Sequence, residues 1–234
     1  MAAILKRELI CYFLTPIGYI FTGVFVLMNA FFLVTGPLRY GVADMRALFS
    51  NSNAVFMFLT AILTMRLLSE ERGKKTDQLL LTAPVKVYEI VLGKYLAALS
   101  VFFAALILSF CMPAVLFIFG DPSLAECAGG YFGFILLWAS FIAIGLFISS
   151  LTESQTVSAV FTFAVLMFIN YIDYIAAGVS NEALSGIISA FSFYKRYADF
   201  EAGILNVSGV VFYVSVIFVF LFLTVKSVER RSYA

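Results

Sequence analysis

Glu70, Glu71, Arg72, Lys74, Lys75, Thr76, Asp77 and Gln78 crowd a short insert of a chain that is otherwise 63% hydrophobic and 12% charged. Side chains of these types can serve acid–base chemistry or the docking of a partner, and their setting favours docking. The 234 residues include no histidine, so imidazole catalysis and imidazole metal sites are excluded. No catalytic carboxylate pair, His-Glu-x-x-His run or Ser-His-Asp set can be assembled. No Gly-x-x-x-x-Gly-Lys-Ser/Thr loop is present to cradle a nucleotide phosphate. Cys11, Cys111 and Cys127 are far apart and read as small apolar filler, with no disulfide or zinc spacing. What the insert does offer is a short helix over about 76–82. Thr76 can cap it, Pro84 ends it, and Leu80 and Leu81 give it an apolar contact face. Glu70, Glu71, Gly73, Lys74, Thr76, Asp77, Leu80, Leu81 and Pro84 are therefore the expected contact residues for something in the cytoplasm.

Elsewhere, polar groups inside apolar stretches are scarce. Asp173, within Asn170-Tyr171-Ile172-Asp173-Tyr174, belongs either to an interfacial Tyr–Asp–Tyr belt or to a substrate-facing site. Arg66 is placed to snorkel at the inner end of a span, and Asn29 to hydrogen-bond between helices. Gly145 and Gly178 read as positions of close helix packing. A pump driven by protons or sodium needs titratable or coordinating groups at the bilayer midplane, and their scarcity argues against one. The 27 Phe and 12 Tyr read as lipid-facing and packing residues, or as the lining of a path for an amphipathic substrate.

The elements that must position these residues are membrane helices. A charged fraction of 12% falls well below the ~25% of a soluble domain. Six stretches have the ~20 apolar residues a span requires, at about 17–34, 49–68, 95–119, 130–151, 156–178 and 207–225. Gly36-Pro37 is expected to stop the first and Gly120-Asp121-Pro122-Ser123 to turn the chain after the third. Thr152-Glu153-Ser154-Gln155 has capping-box spacing before the fifth. The first stretch is too long for a signal peptide, and no small-residue cleavage site follows it. Leu5, Leu9, Tyr12 and Phe13 share a face of an interfacial N-terminal helix that ends before Pro16. Leu184, Ile187, Ile188, Phe191 and Tyr194 recur at helical spacing and predict short amphipathic helices against the outer leaflet, broken at Lys195-Arg196.

With the N-terminus inside, Lys6, Arg7, Arg66, Arg72, Lys74, Lys75, Lys86, Lys94, Lys226, Arg230 and Arg231 face the cytoplasm. Only Arg39, Arg46, Lys195 and Arg196 lie outside, which places both termini in the cytoplasm. The expected fold class is all-α: residues 1–234 form one polytopic membrane domain without a separate soluble part. The net charge of +1 points to no nucleic-acid partner.

This layout resembles the type-2, exporter-class permeases of ABC transporters, and among them the gliding-motility-type branch. Its most specific part is Glu70-Glu71-x-x-Gly73-x-x-Thr76-Asp77-Gln78-Leu79-Leu80-x-x-Ala83-Pro84-Val85, followed by Glu89-Ile90-Val91-Leu92-Gly93-Lys94. A second part is Phe200-Glu201-Ala202-Gly203-Ile204, leading to Phe212-Tyr213. Leu205-Asn206-Val207 departs from the Gly-Val-Ile-Asp usual in that branch, and the histidines common in its outer elements are missing. The resemblance implies a permease in a bacterial inner membrane. It implies a second permease chain, identical or homologous, cytoplasmic ATPase subunits that carry the ATP and Mg, and an extracytoplasmic accessory subunit. The insert would be the coupling helix and the ATPase contact, with no cofactor or catalytic residue in this chain. Asp173, Phe191 and Tyr194 are the candidates for substrate or an outer partner, and Gly23 and Ala159 would let spans one and five of two copies approach.

Three functions remain in view from these residues. The leading one is ATP-driven export of a substrate. The second is an ATPase-coupled scaffold or mechanical component that moves no substrate. An intramembrane enzyme is the weakest, for want of paired catalytic groups.

Overall fold

The computed structural model describes residues 1–41, 45–76, 86–119, 123–178, 181 and 189–232, which form helices and turns with no strand among them. The chain opens on α1 (Ala2–Leu14), and Pro16 then starts α2 (Pro16–Leu33). Thr15, extended as a residue before proline must be, turns the chain between them. A Cβ on Gly18 would lie 2.7 Å from the Tyr12 carbonyl oxygen, so the fold-back of α1 on α2 needs glycine there. Gly36-Pro37 does not stop this span as expected. A π-turn, Val34–Leu38, takes Pro37 in and extends the apolar helix to Leu38.

Next come α3 (Met45–Met65), the short α4 (Ser69–Gly73), α5 (Val87–Ser109) and α6 (Cys111–Phe119). The expected single span at 95–119 starts earlier and is broken. Pro113 clashes with the carbonyl four residues back, so α5 ends at Ser109. The Tyr131 hydroxyl then donates to that Ser109 carbonyl at 3.2 Å. The rest of the described chain is α7 (Leu124–Leu151), α8 (Gln155–Asn170), α9 (Ile172–Ala177), α10 (Phe193–Glu201) and α11 (Val207–Ser232).

Four described helices are long and apolar enough to cross a membrane: Pro16–Leu38, Val87–Ile118, Leu124–Leu151 and Val207–Arg230. The expected spans at 49–68 and 156–178 correspond to shorter apolar helices, Val55–Met65 and Gln155–Asn170. The first of these lies within the longer α3 (Met45–Met65), and the chain breaks at Tyr171 after α8. The Thr152–Gln155 capping box does not form. Ser154 is the N-cap of α8, and Thr152 Oγ1 donates instead to the Ile148 carbonyl at 3.4 Å.

The centre of the bundle is α7, which packs against α3, α5, α8, α10 and α11. Its apolar window is 78% buried, against 17% for α11, so α11 presents most of its surface outward. Phe25 of α2 stacks on Phe56 of α3 at 4.6 Å, and Phe102 of α5 lies parallel to Trp138 of α7 at 5.8 Å. Phe134 joins the same group, so the phenylalanine richness here is helix packing. Gly145 packs as expected, its face filled by Thr64 of α3, whereas Gly178 is exposed at the end of α9 and packs against no other helix among the described residues. Backbone polar groups in this apolar bundle are satisfied internally, and many hydroxyls bond carbonyls one turn back, whereas the buried hydroxyls of Ser158, Thr162 and Tyr197 have no partner among the described residues. Asn29, expected to reach another helix, donates to the Phe25 carbonyl of its own helix at 2.8 Å. Buried tyrosines make the cross-links between elements. Tyr12 donates to Leu63, Tyr95 to Ala139 and Tyr213 to Phe193, all at main-chain carbonyls.

Candidate functional site

The charged end of the bundle is organised around α4. A five-residue helix has no inherent stability, so its neighbours must hold it. Ser149 Oγ of α7 accepts from both Leu68 N and Ser69 N at 3.1 Å, satisfying the amides at its start. Arg72 donates to the Ser150 carbonyl at 3.0 Å and pairs with Glu153 at 3.2 Å. A Cβ on Gly73 would come within 2.7 Å of the Glu153 carbonyl oxygen, so glycine allows α4 to lie flush on the end of α7. At the far end Lys75 N donates to Arg72 O and Thr76 N to Glu71 O, with Lys75 at φ 54°. This is a Schellman closure in which lysine occupies the left-handed position glycine usually takes.

Seated this way, α4 turns its two glutamates inward. Glu71 lies between Lys94 Nζ (2.9 Å) and Arg7 Nη2 (2.6 Å), and Glu70 between Arg66 Nε (3.1 Å) and Lys74 Nζ (2.7 Å). Lys94, on α5, is 1% exposed, and its ammonium meets Glu71, Glu8 (3.1 Å) and the Leu67 carbonyl (2.6 Å). Three donors meet three acceptors, so the hydrogen-bonding capacity of the buried ammonium is filled. Arg7 also bonds Glu8 at 2.7 Å, closing a network that ties α1, α4 and α5 together. Arg66 does not simply snorkel: it donates to Thr15 Oγ1 at 2.8 Å and lies over the Tyr12 ring at 5.5 Å. Burial pushes the Glu8 carboxyl up, but Lys94 and Arg7 outweigh it and hold Glu8 below the ordinary range.

A pH dependence follows. A depressed carboxylate contributes stability that is fully present above about pH 4.3, the ordinary glutamate value, and lost as pH falls through its lower folded value. Hydrogen exchange of α1 amides should be unchanged between about pH 6 and 8, once corrected for intrinsic rates, and lose protection only in the acid window below about 4.3. Loss of protection between pH 6 and 8 would show that Glu8 does not hold α1.

Of the expected contact residues, Glu70, Glu71, Gly73, Lys74 and Thr76 thus gather at this end, the first three turned toward the chain's own helices. Asp77, Leu80, Leu81 and Pro84 lie outside the described residues. The sequence reading missed Arg7, Glu8 and Glu153 as members of the network, and it placed Lys94 in a loop. The available signal was a lysine within Ile90-Val91-Leu92-Gly93-Lys94-Tyr95-Leu96, since a cation among apolar residues requires a buried partner.

At the opposite end, α10 runs along α7. Cβ atoms on Gly129 and Gly133 would meet the Phe200 carbonyl oxygen at 2.6 Å and the Phe200 Cβ at 2.5 Å, so this Gly-x-x-x-Gly pair is the seat of α10. Gly203, at φ 75° and against Ala125, ends that helix where a side chain would be doubly excluded. Lys195-Arg196 does not break the helical run as expected. Ser192 Oγ caps α10 by accepting from Lys195 N, which puts both cations in its first turn. Arg196 is absorbed by the Ser192 carbonyl and the Phe212 ring, 4.0 Å away. The Ser192 hydroxyl also bonds Asp173 of α9, and Asn170, Asp173, Tyr174, Tyr194 and Lys195 line one cleft. Asp173 and Tyr194 therefore come together, whereas Phe191 is 62% exposed and outside that lining. Leu184, Ile187 and Ile188 lie outside the described residues.

The chain is thus an apolar helical bundle with a polar knob clamped to one end. A family model described as ABC-2 family transporter protein matches residues 50–228, more than half of the 234. The chain belongs to that family: it is a multi-pass membrane permease subunit of an ABC transporter, a component that works with ATPase partner subunits. No curated protein matches it.

Proposed function

We propose that this chain is the exporting permease of a bacterial inner-membrane ABC transporter and that residues 76–82 form its coupling helix. The observation that carries this is the position of α4. The helix directly before residues 76–82 is locked to α1, α5 and α7 by the Ser149, Arg72 and Lys94 contacts. A push on that segment by an ATPase closing on ATP would be delivered to three helices at once. In this reading α3 and α8 complete six spans, both termini are cytoplasmic, and the fold is one domain over residues 1–234. The gliding-motility-type branch remains the proposed affiliation, with an extracytoplasmic accessory subunit.

Two copies would meet through α2 and α8. Gly23 has open space where a Cβ would stand, and Leu27, Phe31, Val160 and Phe161 are exposed. Orientation is tested by a Lys195→Cys variant lacking Cys11, Cys111 and Cys127. An impermeant thiol reagent should label it in intact cells, and labelling only after lysis would overturn the topology.

A further inference from the structure

We infer that the cleft between α9 and α10 binds the phosphoethanolamine headgroup of an outer-leaflet lipid. The cleft encloses about 450 Å³, and its polar groups are divided by sign. On the α9 side, Asp173 receives the Ser192 hydroxyl on Oδ2, and no other bond to its carboxylate is seen among the described residues. The other oxygen is left as an acceptor for an ammonium. On the α10 side, Lys195 is exposed and its ammonium makes no hydrogen bond or ion pair among the described residues. Asn170 Oδ1 accepts from Asn53 Nδ2 at 2.9 Å, which leaves the Asn170 amide hydrogens as donors.

The cleft thus presents one anionic acceptor and one cation with an amide donor. That set suits a ligand with a positive and a negative end, and suits a purely anionic or purely cationic one poorly. No ion pair joins Asp173 to Lys195 among the described residues, so the two charges are not spent on each other. Tyr174 and Tyr194 each stand next in sequence to one of the charged residues and line the same cleft. Aromatic rings beside a carboxylate add to ammonium binding. A primary ammonium, with hydrogens to donate to Asp173, suits this acceptor better than a quaternary one.

The argument for a lipid rather than a soluble aminoalkyl phosphate is the surface next to the cleft. Phe168 of α8 and Ile175 of α9, each two residues from a residue that lines the cleft, are 62% and 44% exposed. Acyl chains attached to a headgroup in the cleft have an apolar stripe to lie along. The inference goes beyond the transport reading and rests on it only for the word outer, which the Lys195→Cys labelling tests separately.

The experiment is native mass spectrometry of the detergent-purified chain with equimolar phosphatidylethanolamine and phosphatidylglycerol. Wild type should retain phosphatidylethanolamine preferentially. Asp173→Asn and Lys195→Met should each reduce that retention about tenfold, the loss expected for one charge-assisted hydrogen bond. Because Asp173 also holds Ser192, the Lys195→Met variant, which breaks no bond seen here, is the decisive one. Unchanged retention in Lys195→Met, or preference for phosphatidylglycerol in wild type, would overturn the site. Displacement of the lipid by free phosphoethanolamine at equal concentration would overturn the lipid assignment in favour of a soluble ligand.

Discussion

Lys94→Met is expected to destabilise the folded chain by about 3–5 kcal/mol, the range seen when one partner of a buried ion pair is removed. The loss is large because of what remains. Glu8 and Glu71 would face each other across the vacated site, and Leu67 would lose the donor to its carbonyl. The side chains of the two glutamates are only 12% and 17% exposed, so water cannot take over the lost contacts. The same change made together with Glu8→Gln and Glu71→Gln should recover most of the stability, because no buried charge is then left unpaired: Arg7 loses both carboxylates, but its side chain is 48% exposed and water can solvate it. Thermal unfolding in detergent reads both variants. A Lys94→Met protein within about 0.5 kcal/mol of wild type, the range of an ordinary surface change, would mean that the network is ornamental. In an assembled transporter the variant should also uncouple ATP hydrolysis from movement, since α4 loses its ion pair to α5.

The second large effect lies on the proposed coupling segment. Leu80→Asp with Leu81→Asp is expected to abolish association with the ATPase while leaving membrane insertion intact. Two leucines buried at a contact contribute roughly 1.5–3 kcal/mol each, so their loss alone weakens binding by more than a hundredfold. Aspartates in their place add the desolvation of two charges. Co-purification of the tagged double variant with its ATPase at wild-type yield would remove the coupling-helix assignment, though not the family membership.

Much of the fold was legible because lipid imposes simple rules. Length and apolarity alone located the long helices, and Pro16 marked the end of the interfacial helix. The misplacements have local causes. The helix expected to begin at Tyr95 begins at Val87, and that shift moves Lys94 from a loop cation to a buried hub. Loop-charge counting could not reveal this, because it treats a lysine at a helix boundary as solvated. Pro37 was read as a stop, yet a π-turn accommodates it. Lys195-Arg196 was read as a break because two cations interrupt an apolar pattern, yet Ser192 starts a new helix just before them. At the candidate sites, residue types were more legible than partners. Glu70 and Glu71 stood out as a cluster, but whereas Glu70 pairs locally with Arg66 and Lys74, the ion pairs of Glu71 reach Arg7 and Lys94, residues distant in sequence that only packing brings close. Asp173, Phe191 and Tyr194 were expected together at a substrate or outer-partner site, and the bend at Tyr171 with the cap at Ser192 puts Asp173 and Tyr194 in one cleft.

The central claim is that this chain is a membrane component whose energy comes from a separate ATPase. Purification of the tagged chain in mild detergent, followed by an ATPase assay and photolabelling with an ATP analogue, tests it most directly. The account predicts that hydrolysis and label both reside on a co-purifying subunit and that both disappear when that subunit is stripped away. Hydrolysis or labelling that stays with the isolated chain would contradict it.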